Sequence, residues 1–133
     1  MEAKIRSYFD DLIKDAESAF ENVELERDIS VRRALLKLNA SCGTFEIRVT
    51  EVIDEKGRNY AYYVLKEGAV VMGFDNAPDI TALKLKYGEH FRDHISERIP
   101  HVHGKAKRSL QLTTDLSFRA FLEQVSLVEH GEP

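Results

Sequence analysis

The sequence predicts one α+β domain, in which an antiparallel β-sheet meander of five or six strands is flanked by an N-terminal and a C-terminal amphipathic helix. Three observations support this prediction. Apolar residues recur every three or four positions at both ends of the chain, apolar and polar residues alternate in between, and short turns separate the alternating segments. The length of 133 residues fits one domain, so we expect residues 1–133 to fold as a unit.

The two helices are predicted from apolar residues spaced along one face. The first covers residues 2–21, and its apolar face consists of Ile5, Phe9, Leu12, Ile13, Ala16 and Phe20. The second covers about 117–129, with Ser117 as its N-cap and Gly131 as its stop. Its apolar face consists of Phe118, Phe121, Leu122, Val125 and Val128.

The sheet is predicted between residues 23 and 113. Its strands cover 23–29, 33–41, 44–54, 59–66, 69–75 and 109–113. Residues 79–99 leave two interpretations open, because their first half alternates like a strand whereas their second half has helical spacing. Two amphipathic helices can cover one face of such a sheet.

Composition excludes several classes of protein. Apolar residues make up 43% of the chain, which is too many for a disordered protein. Charged residues make up 32%, and no apolar run reaches the roughly 18 residues that a membrane span needs. The first residues lack the apolar core of a secretory signal. Cys42 is the only cysteine, so we expect no internal disulfide and a reducing, cytoplasmic location. Without a membrane span we expect no membrane partner.

Charge is unevenly distributed along the chain. The formal net charge is −4, and residues 1–28 hold nine acidic against four basic residues. Residues 84–108 hold seven basic against three acidic residues, together with four of the five histidines. A basic patch on an acidic protein favours an anionic ligand such as nucleic acid, although a solvated basic loop would have the same composition.

Glu51 and the segment 75–78 carry the first candidate site residues. Glu51 is in register with the apolar residues of its strand, so its carboxylate needs a partner or a raised pKa, unless it reaches solvent or pairs with Arg48 or Arg58. Asp75 and Asn76 directly follow a strand and precede a proline. They either form a turn or place a carboxylate and an amide at the rim of the sheet.

Histidines provide the second set of candidates. In an extended segment, His101 and His103 would lie on the same side, with Lys105 continuing the stripe. Such a pair can bind one metal ion or share acid and base roles, and an exposed basic loop is the alternative. His90 and His94 could chelate a metal only if their segment is helical.

Several well-known motifs are absent from the sequence. There is no GxGxxG, GxxxxGK[ST], HExxH or CxxC motif, which disfavours P-loop nucleotide hydrolysis and dinucleotide oxidoreduction. Cys42 has no histidine nearby in the sequence, and we interpret it as structural.

The combination of these segments resembles the TumE-like toxin family of prokaryotic type II toxin–antitoxin systems. The matching segments are IRVTE at 47–51, YAYY at 60–63, FDNAP at 74–78, PHVH at 100–103 and the helix that opens at Ser117-Phe118. The resemblance covers about residues 23–128. It implies a toxin encoded beside a helix-turn-helix antitoxin and acting on nucleic acid.

The residues suggest how such a toxin could act as a ribonuclease. Cleavage through the 2′-hydroxyl of RNA needs a base, an acid and a cation. We assign catalysis to His101, His103, Glu51, Asp75 and Asn76, and nucleic-acid binding to Lys105, Lys107, Arg108 and Tyr62. No cofactor is certain. A divalent metal ion on Asp75, Glu51 and one histidine is the other route to cleavage.

Two alternatives do not involve catalysis. The protein could be a nucleic-acid- or partner-binding module whose histidines tune binding with pH. It could also be an interaction module in which the acidic N-terminal helix docks a partner. Exposed strand edges in so small a sheet favour a homodimer. The catalytic hypothesis requires that Glu51, Asp75 and the two histidines converge on one pocket.

Overall fold

The computed structural model of the chain describes residues 2–131, which form one seven-stranded antiparallel sheet and three α-helices. The helices are α1 (Glu2–Ala19), α2 (Ile80–Tyr87) and α3 (Phe118–Gly131). The strands are β1 (Glu21–Ile29), β2 (Arg33–Cys42), β3 (Phe45–Asp54), β4 (Gly57–Lys66), β5 (Ala69–Asp75), β6 (His101–His103) and β7 (Leu110–Leu112). They lie side by side in chain order, so the predicted α+β class, meander and terminal helices are confirmed.

The predicted number of strands was too low. The missing strand is β6, which has only three residues and pairs with β5 on one side and β7 on the other. So short a segment shows no alternation of its own, and its pairing with β5 and β7 becomes evident only in the folded chain. The N-terminal helix is also shorter than predicted and ends at Ala19, two residues early.

The ambiguous segment 79–99 is helical in its first part. The side chain of Asp79 accepts a hydrogen bond from Ala82 N at 2.9 Å and caps α2. Gly88, with a φ of +59°, ends α2, and the 3-10 helix Gly88–His94 follows. Ala82 and Leu83 pack with Ile99 in a small second core. The strand-like alternation therefore does not describe this segment.

The main core lies between one face of the sheet and the two terminal helices. We call this the helix-covered face. It carries Leu36, Leu38, Ile47, Val49, Glu51, Tyr60, Tyr62 and Phe74, and the helices contribute Phe9, Leu12, Phe118, Phe121 and Val125. Ser117 Oγ accepts a hydrogen bond from Ala120 N at 3.1 Å, which confirms Ser117 as the N-cap of α3.

The opposite face of the sheet carries polar side chains from its central and C-terminal strands. We call it the site face. Its residues pair with one another across the strands or alternate along a strand with residues of the helix-covered face. They are Thr50, Ala61, Tyr63, Gly73, Asp75, His101 and His103. None of the described helices combines the length and apolar composition needed to cross a bilayer.

Candidate active site on one face of the sheet

Strand pairing brings one carboxylate and two imidazoles together on the site face. Asp75 lies directly opposite His101, and Gly73 lies opposite both His103 and Tyr63. Directly paired residues in an antiparallel sheet project to the same side. The end of β5 and the distant HxH segment therefore meet on the site face. Asp75, His101 and His103, three of the four residues that the catalytic hypothesis requires in one pocket, therefore lie together.

The three side chains are close together and largely shielded from solvent. His101 Nε2 lies 3.3 Å from Asp75 Oδ1, and His103 Nε2 lies 4.0 Å from Asp75 Oδ2. The exposed fractions are 1% for His101, 8% for Asp75 and 9% for His103. Burial of three polar side chains in contact is costly unless their hydrogen-bonding groups have partners.

Hydrogen bonds around the cluster fix the orientation of its members. Tyr63 Oη donates to Asp75 Oδ2 at 2.8 Å, and Ala77 N donates to Asp75 Oδ1 at 2.9 Å. His101 Nδ1 lies 2.6 Å from the carbonyl oxygen of Ile99. Because a carbonyl oxygen can only accept, Nδ1 of His101 carries a hydrogen and Nε2 is the atom that faces Asp75.

Charged and aromatic groups border the cluster. Asp79 Oδ2 lies 4.0 Å from His101 Nε2, and Lys107 Nζ lies 5.2 Å from the centre of the Tyr63 ring. Burial, followed by the neighbouring His101, lowers the pKa of His103, although Asp75 opposes this shift. Burial and the hydrogen bond to Asp75 raise the pKa of Tyr63, so its hydroxyl stays protonated and donates.

A shallow groove of about 280 Å³ lies next to the cluster on the site face. Its lining includes Arg48, Thr50, Tyr63 and Lys107, so the groove shares Tyr63 with the cluster. Two cations and a tyrosine ring along an open groove are the groups that contact the backbone and bases of a single-stranded nucleic acid.

Glu51 does not belong to this cluster, and the prediction that it shares the pocket was wrong. Its side chain is on the helix-covered face and is 0% exposed. Tyr8 Oη donates to Glu51 Oε1 at 2.7 Å, Tyr62 Oη donates to Oε2, and Arg58 Nε lies 3.4 Å from Oε1. Pairing with Arg58, one of the alternatives derived from the sequence, is therefore what occurs. A metal site that includes both Glu51 and Asp75 is excluded, since the sheet separates them.

Two further residues are in places that do not suit their predicted roles. Tyr62 was expected to stack on nucleic-acid bases, but it is 0% exposed and packs against Phe118 and Phe121. Asn76 was expected in catalysis, but its Oδ1 accepts from Tyr60 N and its Nδ2 donates to the carbonyl oxygen of Arg58, both at 2.9 Å. Both polar groups of its amide are thus used to extend the contact between β4 and the end of β5.

The predicted basic stripe is only partly realised. Lys105 does not continue the strand of the two histidines, because a 3-10 helix spans Lys105–Lys107. Lys107 is the residue that reaches the site face, over Tyr63. Lys105 and Arg108 are exposed side chains of this turn.

The other histidine pair stays apart from the site. His90 is exposed, whereas His94 stacks on Tyr87 with 3.6 Å between ring centres and lies 3.2 Å from Glu97. Their segment is a 3-10 helix, in which residues three apart and not four apart align, so they do not form a chelating pair. Among residues 2–131, Asp75, His101 and His103 form the one grouping with the spacing of metal ligands.

The sequence predictions singled out Tyr62 instead of Tyr63, and they missed Asp79. Tyr63 could have been found from the alternation of β4, because a residue adjacent to the core residue Tyr62 must face the other side. The same parity separates Asp75 from Phe74, and the two histidines from Val102, whereas Glu51 has the parity of Ile47 and Val49. Asp79 gave no such signal, because its position depends on where α2 begins.

Comparisons with protein-family models, curated proteins and solved structures found no match to this chain. A function for this chain is therefore argued from the geometry of the site.

Proposed function

We propose that this protein is the toxin of a toxin–antitoxin pair and that it cleaves RNA at the cluster of Asp75, His101 and His103. The observation that carries this proposal is the convergence of two buried imidazoles and a buried carboxylate beside a cationic groove. Buried titratable groups that meet at the edge of a groove are typical of catalytic sites.

RNA cleavage suits the groups that are present. The 2′-hydroxyl next to the scissile phosphate is a nucleophile that RNA itself supplies, so the protein must activate this oxygen and stabilise negative charge on the phosphate. The cluster provides the activation, either through an imidazole or through an ion that it holds. Lys107 lies next to the cluster and supplies a positive charge for the phosphate. Arg48 lies further along the groove, where it can contact the RNA backbone.

The test is cleavage of labelled single-stranded RNA by purified protein and by matched histidine variants. We expect His103→Gln to lower the cleavage rate by about 100-fold or more, the usual contribution of a group that activates a nucleophile. His90→Gln is the control, because His90 is an exposed histidine outside the cluster, and its rate should match the wild type. Absence of cleavage by the wild-type protein, or equal rates for all three proteins, would refute the ribonuclease.

The toxin role is supported by the resemblance of segments 47–51, 74–78 and 100–103 to the TumE-like family. Induced expression should stop cell growth, and co-expression of the helix-turn-helix protein from the neighbouring reading frame should restore it. Growth that continues after induction, with the protein present and folded, would contradict this role.

A binding protein without catalysis is the second candidate, and the observation that favours it is the presence of Arg48 and Lys107 in the groove. Binding alone would need these cations but not the histidines. Under this alternative, substitution of Arg48 and Lys107 by alanine abolishes toxicity, whereas His103→Gln leaves it intact. Loss of toxicity in His103→Gln with retained RNA binding would exclude it.

A further inference from the structure

We propose that Asp75, His101 and His103 together bind one divalent transition-metal ion of the zinc type. The proposal deepens the function proposed above. The role of the ion in RNA cleavage rests on that function, whereas metal binding itself can be measured without RNA.

The ligand atoms already have nearly the spacing of a metal centre. One ligand atom from each of the three residues lies within 4.8 Å of the other two. Bonds of about 2.0–2.1 Å in a tetrahedral zinc centre place neighbouring ligand atoms about 3.4 Å apart. The 3.3 Å between His101 Nε2 and Asp75 Oδ1 already fits this value. The wider distances must shorten by small side-chain rotations when an ion binds.

The groups behind the ligands are those that hold ligands in metalloproteins. A metal-bound histidine usually donates its other ring N–H to a carbonyl or carboxylate, and a ligating carboxylate is itself hydrogen-bonded. His101 donates from Nδ1 to the carbonyl oxygen of Ile99, and Asp75 accepts from Tyr63 Oη and Ala77 N. The site therefore has its supporting shell as well as its ligands.

Electrostatics also favour a cation at this point. With Nδ1 of His101 donating to the carbonyl oxygen of Ile99, Nε2 is the atom that faces the carboxylates of Asp75 and Asp79. Two carboxylates close together in a shielded site repel each other, and a divalent cation between them and the imidazole nitrogen offsets this repulsion.

The same geometry argues against an acid–base pair of histidines that flank a phosphate. Nε2 of His101 and Nε2 of His103 both point at one carboxylate, at 3.3 and 4.0 Å. The space between them accommodates an ion but not a phosphodiester group. A centre with three protein ligands keeps a position for water, whose pKa a catalytic zinc ion lowers to about 7.

The ligand set also limits the identity of the ion. Two imidazole nitrogens and one carboxylate suit Zn²⁺, Fe²⁺, Co²⁺ or Ni²⁺, whereas Mg²⁺ prefers oxygen ligands and retains several waters. We therefore expect tight binding of Zn²⁺ and Co²⁺ and no measurable competition from equimolar Mg²⁺.

The experiment is a titration of chelator-treated protein with Co²⁺, followed by visible absorption, and with Zn²⁺, followed by calorimetry. We expect saturation at about one equivalent, weakening by about 100-fold or more in His101→Gln and His103→Gln, and by about 10–100-fold in Tyr63→Phe, a supporting group. His94→Gln, a histidine outside the cluster, is the control and should bind like the wild type. Circular dichroism checks the fold, and if His101→Gln does not fold, His103→Gln and Tyr63→Phe carry the test.

The outcomes separate this proposal from the ribonuclease. Absence of saturable binding in the wild type, or wild-type affinity in both folded His103→Gln and Tyr63→Phe, would overturn the metal site. RNA cleavage that persists in such a protein would keep the ribonuclease. Metal binding without cleavage of RNA would keep the metal site and refute the ribonuclease.

Discussion

The two faces of the sheet each bury a carboxylate next to a tyrosine hydroxyl, but they surround it in different ways. On the helix-covered face, Glu51 accepts hydrogen bonds from two tyrosines and lies 3.4 Å from Arg58, beneath α1 and α3. On the site face, Asp75 meets two imidazoles beside a groove. The Glu51 network is fully buried and has its counter-charge, which is typical of structural networks. The Asp75 cluster instead has two imidazole nitrogens directed at one carboxylate beside an open groove.

The comparison teaches that a polar residue in a core register is weak evidence for catalysis by itself. Glu51 breaks the apolar pattern of β3 more clearly than Asp75 breaks that of β5. Partners from α1 and β4 nevertheless account for its whole carboxylate. What distinguishes the Asp75 cluster is that its His101 Nε2 and His103 Nε2 are directed at the same carboxylate, next to an opening.

The largest effect is expected at Glu51. Glu51→Ala leaves Arg58 and the hydroxyls of Tyr8 and Tyr62 without their buried partner, so we expect the free energy of unfolding to fall by about 3–5 kcal/mol. Urea denaturation measures this loss. Glu46→Ala on the same strand is the control, since Glu46 is exposed and its ion pair with Arg48 is worth about 1 kcal/mol or less.

The same substitution tests whether the faces are functionally separate. RNA cleavage per folded molecule should be unchanged in Glu51→Ala. If that variant is too unstable to assay, Tyr8→Phe removes one hydrogen bond at a cost of about 1 kcal/mol and serves in its place. A stable variant of either kind that loses cleavage would show that the helix-covered face takes part in the reaction.

A smaller effect is expected at Asn76, which directly follows β5 and is hydrogen-bonded to β4. Asn76→Ala leaves the buried Tyr60 N–H and the Arg58 carbonyl without partners, so we expect a loss of about 2–4 kcal/mol. Asn39→Ala, at an exposed position of β2, is the control and should change stability by about 0.5 kcal/mol or less. If Asn76→Ala keeps its full stability but loses RNA cleavage, Asn76 takes part in catalysis, as predicted from the sequence.

A third prediction concerns Gly73, which lets the ring of Tyr63 lie across the site face. A Cβ atom at residue 73 would lie 2.1 Å from Tyr63 Cε1. Gly73→Ala must displace this ring and with it the donor to Asp75, and we expect a loss of about 1–3 kcal/mol from overpacking. In a double-mutant cycle, Gly73→Ala should cost little when Tyr63→Ala is also present. Additive costs would mean that the ring does not constrain residue 73.

The smallest effect is expected at Cys42, on the helix-covered face. Burial and the hydrogen bond to Glu129, with Sγ 2.7 Å from Oε2, raise the pKa of Cys42 to about 12. The thiol should therefore resist iodoacetamide in the native protein at about pH 8.5, where an unfolded cysteine is half ionised.

The raised pKa of Cys42 also predicts how the stability of the fold changes with pH. A group whose pKa is higher in the folded state stabilises the fold below its unfolded pKa of about 8.5, and this contribution declines as the pH rises toward about 12.

The measurement for Cys42 is mass spectrometry, which compares its labelling by iodoacetamide in buffer with its labelling in urea. Equal labelling rates in buffer and in urea would show that the fold does not protect the Cys42 thiol.

Some features of the fold and site followed from local sequence. Alternation in β2 to β5 and helical spacing at both ends predicted the meander and its covering helices, because each element buries one face of its own residues. The spacing of His101 and His103 predicted that they share a side, because a strand has a two-residue period. Ser117 marked the start of α3 through its capping side chain.

Other features were decided only by the folded chain. Whether Glu51 and Asp75 meet depends on the relative register of β3, β4 and β5, including an irregularity between Val64 and Leu65. The pairing of Glu51 with Tyr8 across 43 positions of sequence likewise required the packing of α1 on the sheet. The sequence determined which side of its own strand each residue occupies, because that parity is a local property of the backbone. The tertiary structure determined which residues share a pocket, because that depends on pairing between segments far apart in the chain.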